Sequence, residues 1–172
     1  MRRRLKRAAL WVWQKVPFPR AVRWAMLWIL NTKYLVGVTA VVLNDAGDVL
    51  LLRHTYRLEW AWGLPAGWLR GREDPVAAVG RELEEESGLR ARVLYPLAVQ
   101  PVGDRPQLDV IYLCRPAGGT FRPIAEVAAN GWFSPEALPP LPPDQVDTIR
   151  RAVAVRAMEA GVASEGGAGP PP

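Results

Sequence analysis

The 172-residue sequence predicts a mixed α/β (α+β) layer fold, and three observations predict it. Valine- and leucine-rich runs bounded by turn residues recur along the middle of the chain, and a segment with helical patterning separates the second run from the third. Hydrophobic residues make up 49% of the chain, enough for one proper core. The length is that of one ordinary domain with extensions.

The chain begins with a basic arm. Residues 1–33 hold nine Lys or Arg and no acid, which leaves thirteen basic against seventeen acidic residues beyond them, a body of charge −4. "MRRRLKRAALWVWQK" has the charged start of an export signal, but its apolar run is only about six residues before Gln14-Lys15 interrupts it, so it makes a poor signal peptide. "PRAVRWAMLWILNTK" reads as another short helix, far below the roughly 20 apolar residues a membrane span requires. Trp11, Trp13, Trp24 and Trp28 lie in this arm. Arg and Trp on such helices suit packing on the domain, self-association or contact with an anionic membrane surface, with nucleic acid the least favoured partner. One cysteine, Cys114, rules out an intramolecular disulfide and points to the cytoplasm, peripheral at the membrane surface if the arm adsorbs there.

From Tyr34 the character changes. "YLVGVTAVVL", the turn "NDAGD" and "VLLLRH" read as strand, turn and strand, and "TYRLEWAWGLPAG" as a loop. A helix follows from Pro75 to Ser87, with Asp74 as N-cap, Pro75 at the first helical position and Gly88 at the left-handed ending. "ARVLYPLAVQ", "LDVIYLC" and "NGWFS" are strand-like, with a Gly-Gly break between the last two. Residues 143–160 suit a closing helix. The expected organisation is an arm at 1–33, a domain at 34–158 and a disordered tail at 159–172, whose "SEGGAGPPP" is poor in apolar residues.

The central helix carries the chemistry. Four carboxylates crowd into positions 82–86. At 100° per residue Glu82, Glu85 and Glu86 share an arc of about 100° beside an apolar stripe of Val76, Val79 and Leu83, while Glu84 points away. Like charges at these spacings repel, and a hard divalent cation, Mg2+ or Mn2+, is the natural guest of an oxygen-only donor set.

Gly67, Glu73, Arg81-Glu82-Leu83, Glu85-Glu86 and Gly88-Leu89 match the signature of the Nudix hydrolases at every specified position, and the stretch Gly67 to Leu89 resembles that family. The resemblance implies an alpha/beta/alpha sandwich with a mixed sheet, and metal-dependent hydrolysis of a nucleoside diphosphate linked to another group, a nucleotide-type small molecule. It implies Glu85 and Glu86 as principal metal ligands, and Glu82 as a further ligand or the general base. Glu73 and Arg81 resemble the pair that orients the cluster. Ala66 stands where many relatives have glycine; its carbonyl is a usual ligand position, and an unusual backbone angle there would be strained. Gly80 within the helix costs about 1 kcal/mol relative to alanine.

Outside the signature, Glu126 is the best candidate for a further metal carboxylate, ahead of Asp104 and of Asp109, which alternates with apolar residues and reads as solvent-facing. Arg53, Arg57 and Arg70 are candidates to bind the diphosphate, since a guanidinium meets it bidentately. His54 reads as a packing residue. Two other functions fit parts of the chain: a nucleotide-sensing module of the same fold without catalysis, and an adaptor driven by the arm. Dinucleoside-polyphosphate-specific relatives often carry a tyrosine about sixteen to eighteen residues after the signature, where Arg105, Pro106 and Gln107 stand here; Pro106 only loosely matches a proline of ADP-ribose hydrolases.

Overall fold

The computed structural model describes residues 19–165, in two units divided between Tyr34 and Leu35. In the first unit, α1 (Arg20–Leu30) follows Pro19 and ends at Asn31, whose side-chain and backbone N–H groups both donate to the Leu27 carbonyl, at 2.7 and 3.1 Å. The other helix expected in the arm lies outside the described residues.

The second unit runs β1 (Leu35–Val42), β2 (Val49–His54), β3 (Trp62–Gly63), β4 (Ala66–Trp68), α2 (Pro75–Ser87), β5 (Leu89–Pro101), β6 (Gln107–Gly119), β7 (Val127–Phe133) and α3 (Pro143–Glu165). One sheet has the order β4-β1-β6-β5 and is mixed, with β1 parallel to β6 and its other pairs antiparallel. The other is antiparallel, β3-β2-β7. A single bridge, Leu43 to Val49, links β1 to β2 across the Asn44–Asp48 turn before the strands diverge into different sheets.

Alternation along β1 explains the layering. Val38, Ala40 and Val42 pack with Ala78, Val79 and Leu83 of α2, while Val41 packs on the opposite side with Ile149 and Ala152 of α3. A strand buried on both faces reads as a continuous apolar run, which is what "VGVTAVV" is. The result is the expected helix, sheet, helix sandwich. Leu83 is 1% exposed, so truncating it to alanine costs about 2–5 kcal/mol. Val76 departs from the expected stripe at 46% exposure, and Ala78 is buried instead. Gly80 faces open space, where nothing in its surroundings requires a glycine.

Three local expectations change. The loop before the signature contains β3 and β4, strands of two and three residues, too short for alternation to show. The closing helix continues past 160 to Glu165. Part of the segment expected to be disordered is therefore helical, and residues 166–172 lie outside the described residues. Ala66 escapes strain: among the described residues Arg72, at φ 66°, is the only non-glycine with a positive φ.

Strand β5 forms the far edge of the mixed sheet. Its 13 residues are broken in register near Leu89/Ala91, Val93/Tyr95 and Pro96/Ala98. Cys114 on β6 is buried, and burial pushes its thiol up to about 12.

Candidate active site

Local chemistry fixes both ends of α2. The Asp74 carboxylate accepts from the Val76 N–H at 2.8 Å, Pro75 occupies the first turn, and Gly88 closes the helix at φ 72° with its N–H on the Glu84 carbonyl. A Cβ on Gly88 would stand 2.6 Å from the Thr120 carbonyl, so glycine is needed there for space as well as conformation. At Gly67 on β4 a Cβ would overlap the Glu82 carboxylate. That glycine is what lets the helix flank close onto the strand.

Arg81 is the hub of the cluster. Its Nε and Nη2 donate to the two oxygens of Glu73 at 2.7 and 2.9 Å, its Nη1 to Glu82 at 2.7 Å and to Glu85 at 3.1 Å, and its Nη2 also to the Trp68 carbonyl. The Arg81 hydrogen bonds, with the Arg70 backbone N–H next, pull the Glu73 carboxyl down to about 2. Arg70 meets both Glu85 oxygens, at 2.9 and 3.2 Å. Two arginines thus hold Glu73, Glu82 and Glu85, and leave this cluster one negative charge in excess before Glu86 is added.

Glu86 differs. Its Oε2 is buried without a hydrogen-bond partner, and burial raises its carboxyl to about 7, against a backbone hydrogen bond from Ala66. The charges of Glu82 and Glu126 push it further up, and that of Arg57 pulls it down. Glu126, exposed at the entry to β7, and Arg57, on the loop after β2, thus both act electrostatically on Glu86. Among the described residues no three such donors form a ready-made cation cage, and Arg81 and Arg70 hold Glu82 and Glu85. The donors nevertheless fit a hard divalent cation: all are oxygens, and one buried carboxylate oxygen lacks any partner.

Beside β4 opens a cleft of about 450 Å³, lined among others by Thr39, Tyr56, Arg57, Asp109, Asp144 and Gln145. Gly63 leaves the space in which the Arg57 guanidinium lies. Asp109 corrects an expectation: it is half-buried rather than solvent-facing, and its Oδ2 accepts the Thr39 hydroxyl at 2.6 Å. Burial raises its carboxyl, Thr39 opposes this, and Asp144 adds to it. The missed signal was Gly37, its register partner on β1, whose absent side chain leaves room for the carboxylate. Arg53 is exposed on β2 and is not among the cleft residues. His54 packs: it is 4% exposed, meets the Tyr56 ring edge-on at 5.5 Å, and burial with Arg57 nearby lowers it to about 4.

The model of the NUDIX domain matches residues 33–154. A MutT-like protein of Streptomyces ambofaciens is 33% identical over 101 residues, which is 59% of this chain and 64% of that protein. The 8-oxo-dGDP phosphatase NUDT18 of Mus musculus is 32% identical over 107 residues, 59% of this chain but only 33% of that longer protein. Among solved structures, an ADP-ribose pyrophosphatase of Streptococcus suis superposes with a TM-score of 0.62 at 26% identity, covering 72% of this chain and 92% of that one.

Proposed function

This chain belongs to the NUDIX family, and from that premise we propose that it hydrolyses a diphosphate linkage in a nucleoside diphosphate carrying a further group, using Mg2+ or Mn2+. The observation that carries the reading is the unpartnered, buried Glu86 oxygen within a carboxylate flank whose other members are held by arginines. Glu82, Glu85 and Glu86 would hold the cation, with Glu126 and the Ala66 carbonyl completing the set. A divalent cation supplies charge neutralisation of the diphosphate oxygens and acidification of water.

The chain's own residues do the positioning. Arg81 fixes the direction of Glu82, which serves either as a further ligand or as acceptor of the proton from the attacking water. Arg57, which lines the cleft and whose charge acts on Glu86, offers a guanidinium to the diphosphate, and Arg70 offers a second from the loop before α2. The cleft takes the part of the substrate beyond the phosphates, with Asp109, Asp144 and Gln145 as its polar contacts and Tyr56 as an aromatic one. Relatives named for 8-oxo-dGDP and the neighbour named for ADP-ribose support a nucleotide-type substrate of this size class.

Purified protein should be assayed with each metal on nucleoside triphosphates, oxidised guanine nucleotides, nucleotide sugars, ADP-ribose and dinucleoside polyphosphates. Turnover on one class that falls by at least about a hundredfold in both Glu85→Gln and Glu86→Gln supports the assignment. No turnover on any class, or full activity in both variants, sinks it.

A further inference from the structure

We propose that α1, with the basic sequence around it, is a docking surface for anionic lipid bilayers. Between Arg23 and Lys33 runs Trp24-Ala25-Met26-Leu27-Trp28-Ile29-Leu30, a stretch without charge, while Arg20 and Arg23 fall about 60° apart on one side of the helix. A helix with one basic side and a broad apolar remainder belongs at a boundary between water and hydrocarbon. None of the eleven residues of α1 is buried, and Trp24, Trp28, Ile29 and Leu30 are 66%, 60%, 74% and 76% exposed. Four large apolar side chains on so short an element are far more than scattered surface residues.

Their arrangement suits a bilayer surface. Trp24 and Trp28 meet edge to face at 6.4 Å, and the Lys33 ammonium lies 5.4 Å from the Trp28 ring centroid. An aromatic pair capped by a cation matches the headgroup boundary, where ring bodies enter the apolar layer and charges stay in water. At about 1.5 Å per residue α1 is about 16 Å long, half the hydrocarbon thickness, so it lies in the surface rather than crossing. No described helix is long and apolar enough to cross.

Charge selects the occupant. Residues 1–33 carry nine positive charges and no negative one. A second copy docked through this segment would oppose nine cations with nine more. Nucleic acid would satisfy the cations but leave the apolar run in water. Anionic lipid satisfies both.

The test is co-sedimentation of the full chain with vesicles of phosphatidylcholine alone and of equal parts phosphatidylcholine and phosphatidylglycerol, with tryptophan emission recorded. Binding at least about tenfold tighter to the anionic vesicles, weakened by salt and accompanied by a blue shift, is expected. The double variant Trp24→Ser, Trp28→Ser should lose at least about tenfold of that binding, with unchanged circular dichroism and nucleotide hydrolysis. Arg20→Gln with Arg23→Gln should move the anionic vesicles towards the neutral ones. Equal or absent binding to both vesicles overturns the proposal, as does full binding by the tryptophan double variant. A lipid-free dimer, or a monomer whose tryptophans are already shielded from a soluble quencher, overturns it in favour of a second copy or of the chain's own domain.

Discussion

Arg81 grips Glu73 through two parallel hydrogen bonds, Nε to Oε1 at 2.7 Å and Nη2 to Oε2 at 2.9 Å, while its Nη1 reaches Glu82 and Glu85. A lysine keeps the charge but cannot make that fork. Arg81→Lys should therefore lower kcat by about ten- to a hundredfold while the fold is retained, as measured by steady-state kinetics and thermal melting. Because Glu73 is held down to about 2, this pair's stabilisation is fully present above the unfolded carboxylate pKa of about 4.5 and is lost as pH falls towards 2. A melting temperature of Arg81→Lys that stays as far below wild type in strong acid as at neutral pH would contradict this.

Glu86 titrates in the opposite sense. Its carboxyl is raised from 4.5 to about 7, chiefly by burial, so its protonated form favours the folded state below about 4.5 and that contribution disappears as pH rises through 7. Without divalent cations, raising pH from about 5 to about 8 should lower the melting temperature of the wild type more than that of Glu86→Gln. The same substitution should abolish most turnover. A stabilised but inactive variant is the expected signature, and a Glu86→Gln protein less stable than wild type at high pH would refute it.

Gly67 tests the placement of Glu82 without touching its charge. Gly67→Ala must displace the Glu82 carboxylate, and a misplacement of about 1 Å can cost about a hundredfold in kcat. Glu82→Gln complements it: a fall in kcat with unchanged Mg2+ affinity marks a proton acceptor, and a fall in both marks a ligand.

Asp109 probes the cleft. Asp109→Asn keeps the size of the side chain but removes a carboxylate that faces the substrate space beside Thr39. KM for the preferred substrate should rise by about tenfold or more, with kcat less affected. Unchanged KM on every substrate class would place substrate recognition elsewhere.

What the sequence disclosed followed from local physics. The caps of α2 and the runs of β1 and β2 were legible because Asp74, Pro75, Gly88 and the valine-leucine stretches act within a few residues of themselves. The carboxylate flank followed from helical periodicity. What escaped depended on distant partners: β4 exists because β1 offers Gly37, Val38 and Thr39 for pairing, and Asp109 is sheltered because β6 happens to lie beside Gly37. The spatial roles of Arg57 and Arg53 were equally invisible, since two arginines four positions apart looked alike until the loop after β2 carried one of them into the cleft.

The interrupted edge strand β5 bears on self-assembly into fibrils. A long, regular, open edge is a template for pairing with another chain, yet β5 shifts register three times, contains Pro96 and exposes Arg90 and Arg92. Pro96→Thr together with Arg90→Thr and Arg92→Thr would restore donors and remove repulsion along it, and amyloid-dye fluorescence during refolding should rise where the wild type stays clear. Such a rise would make the register shifts of β5 a guard against recruitment of neighbouring chains, and an unchanged signal would deny them that role.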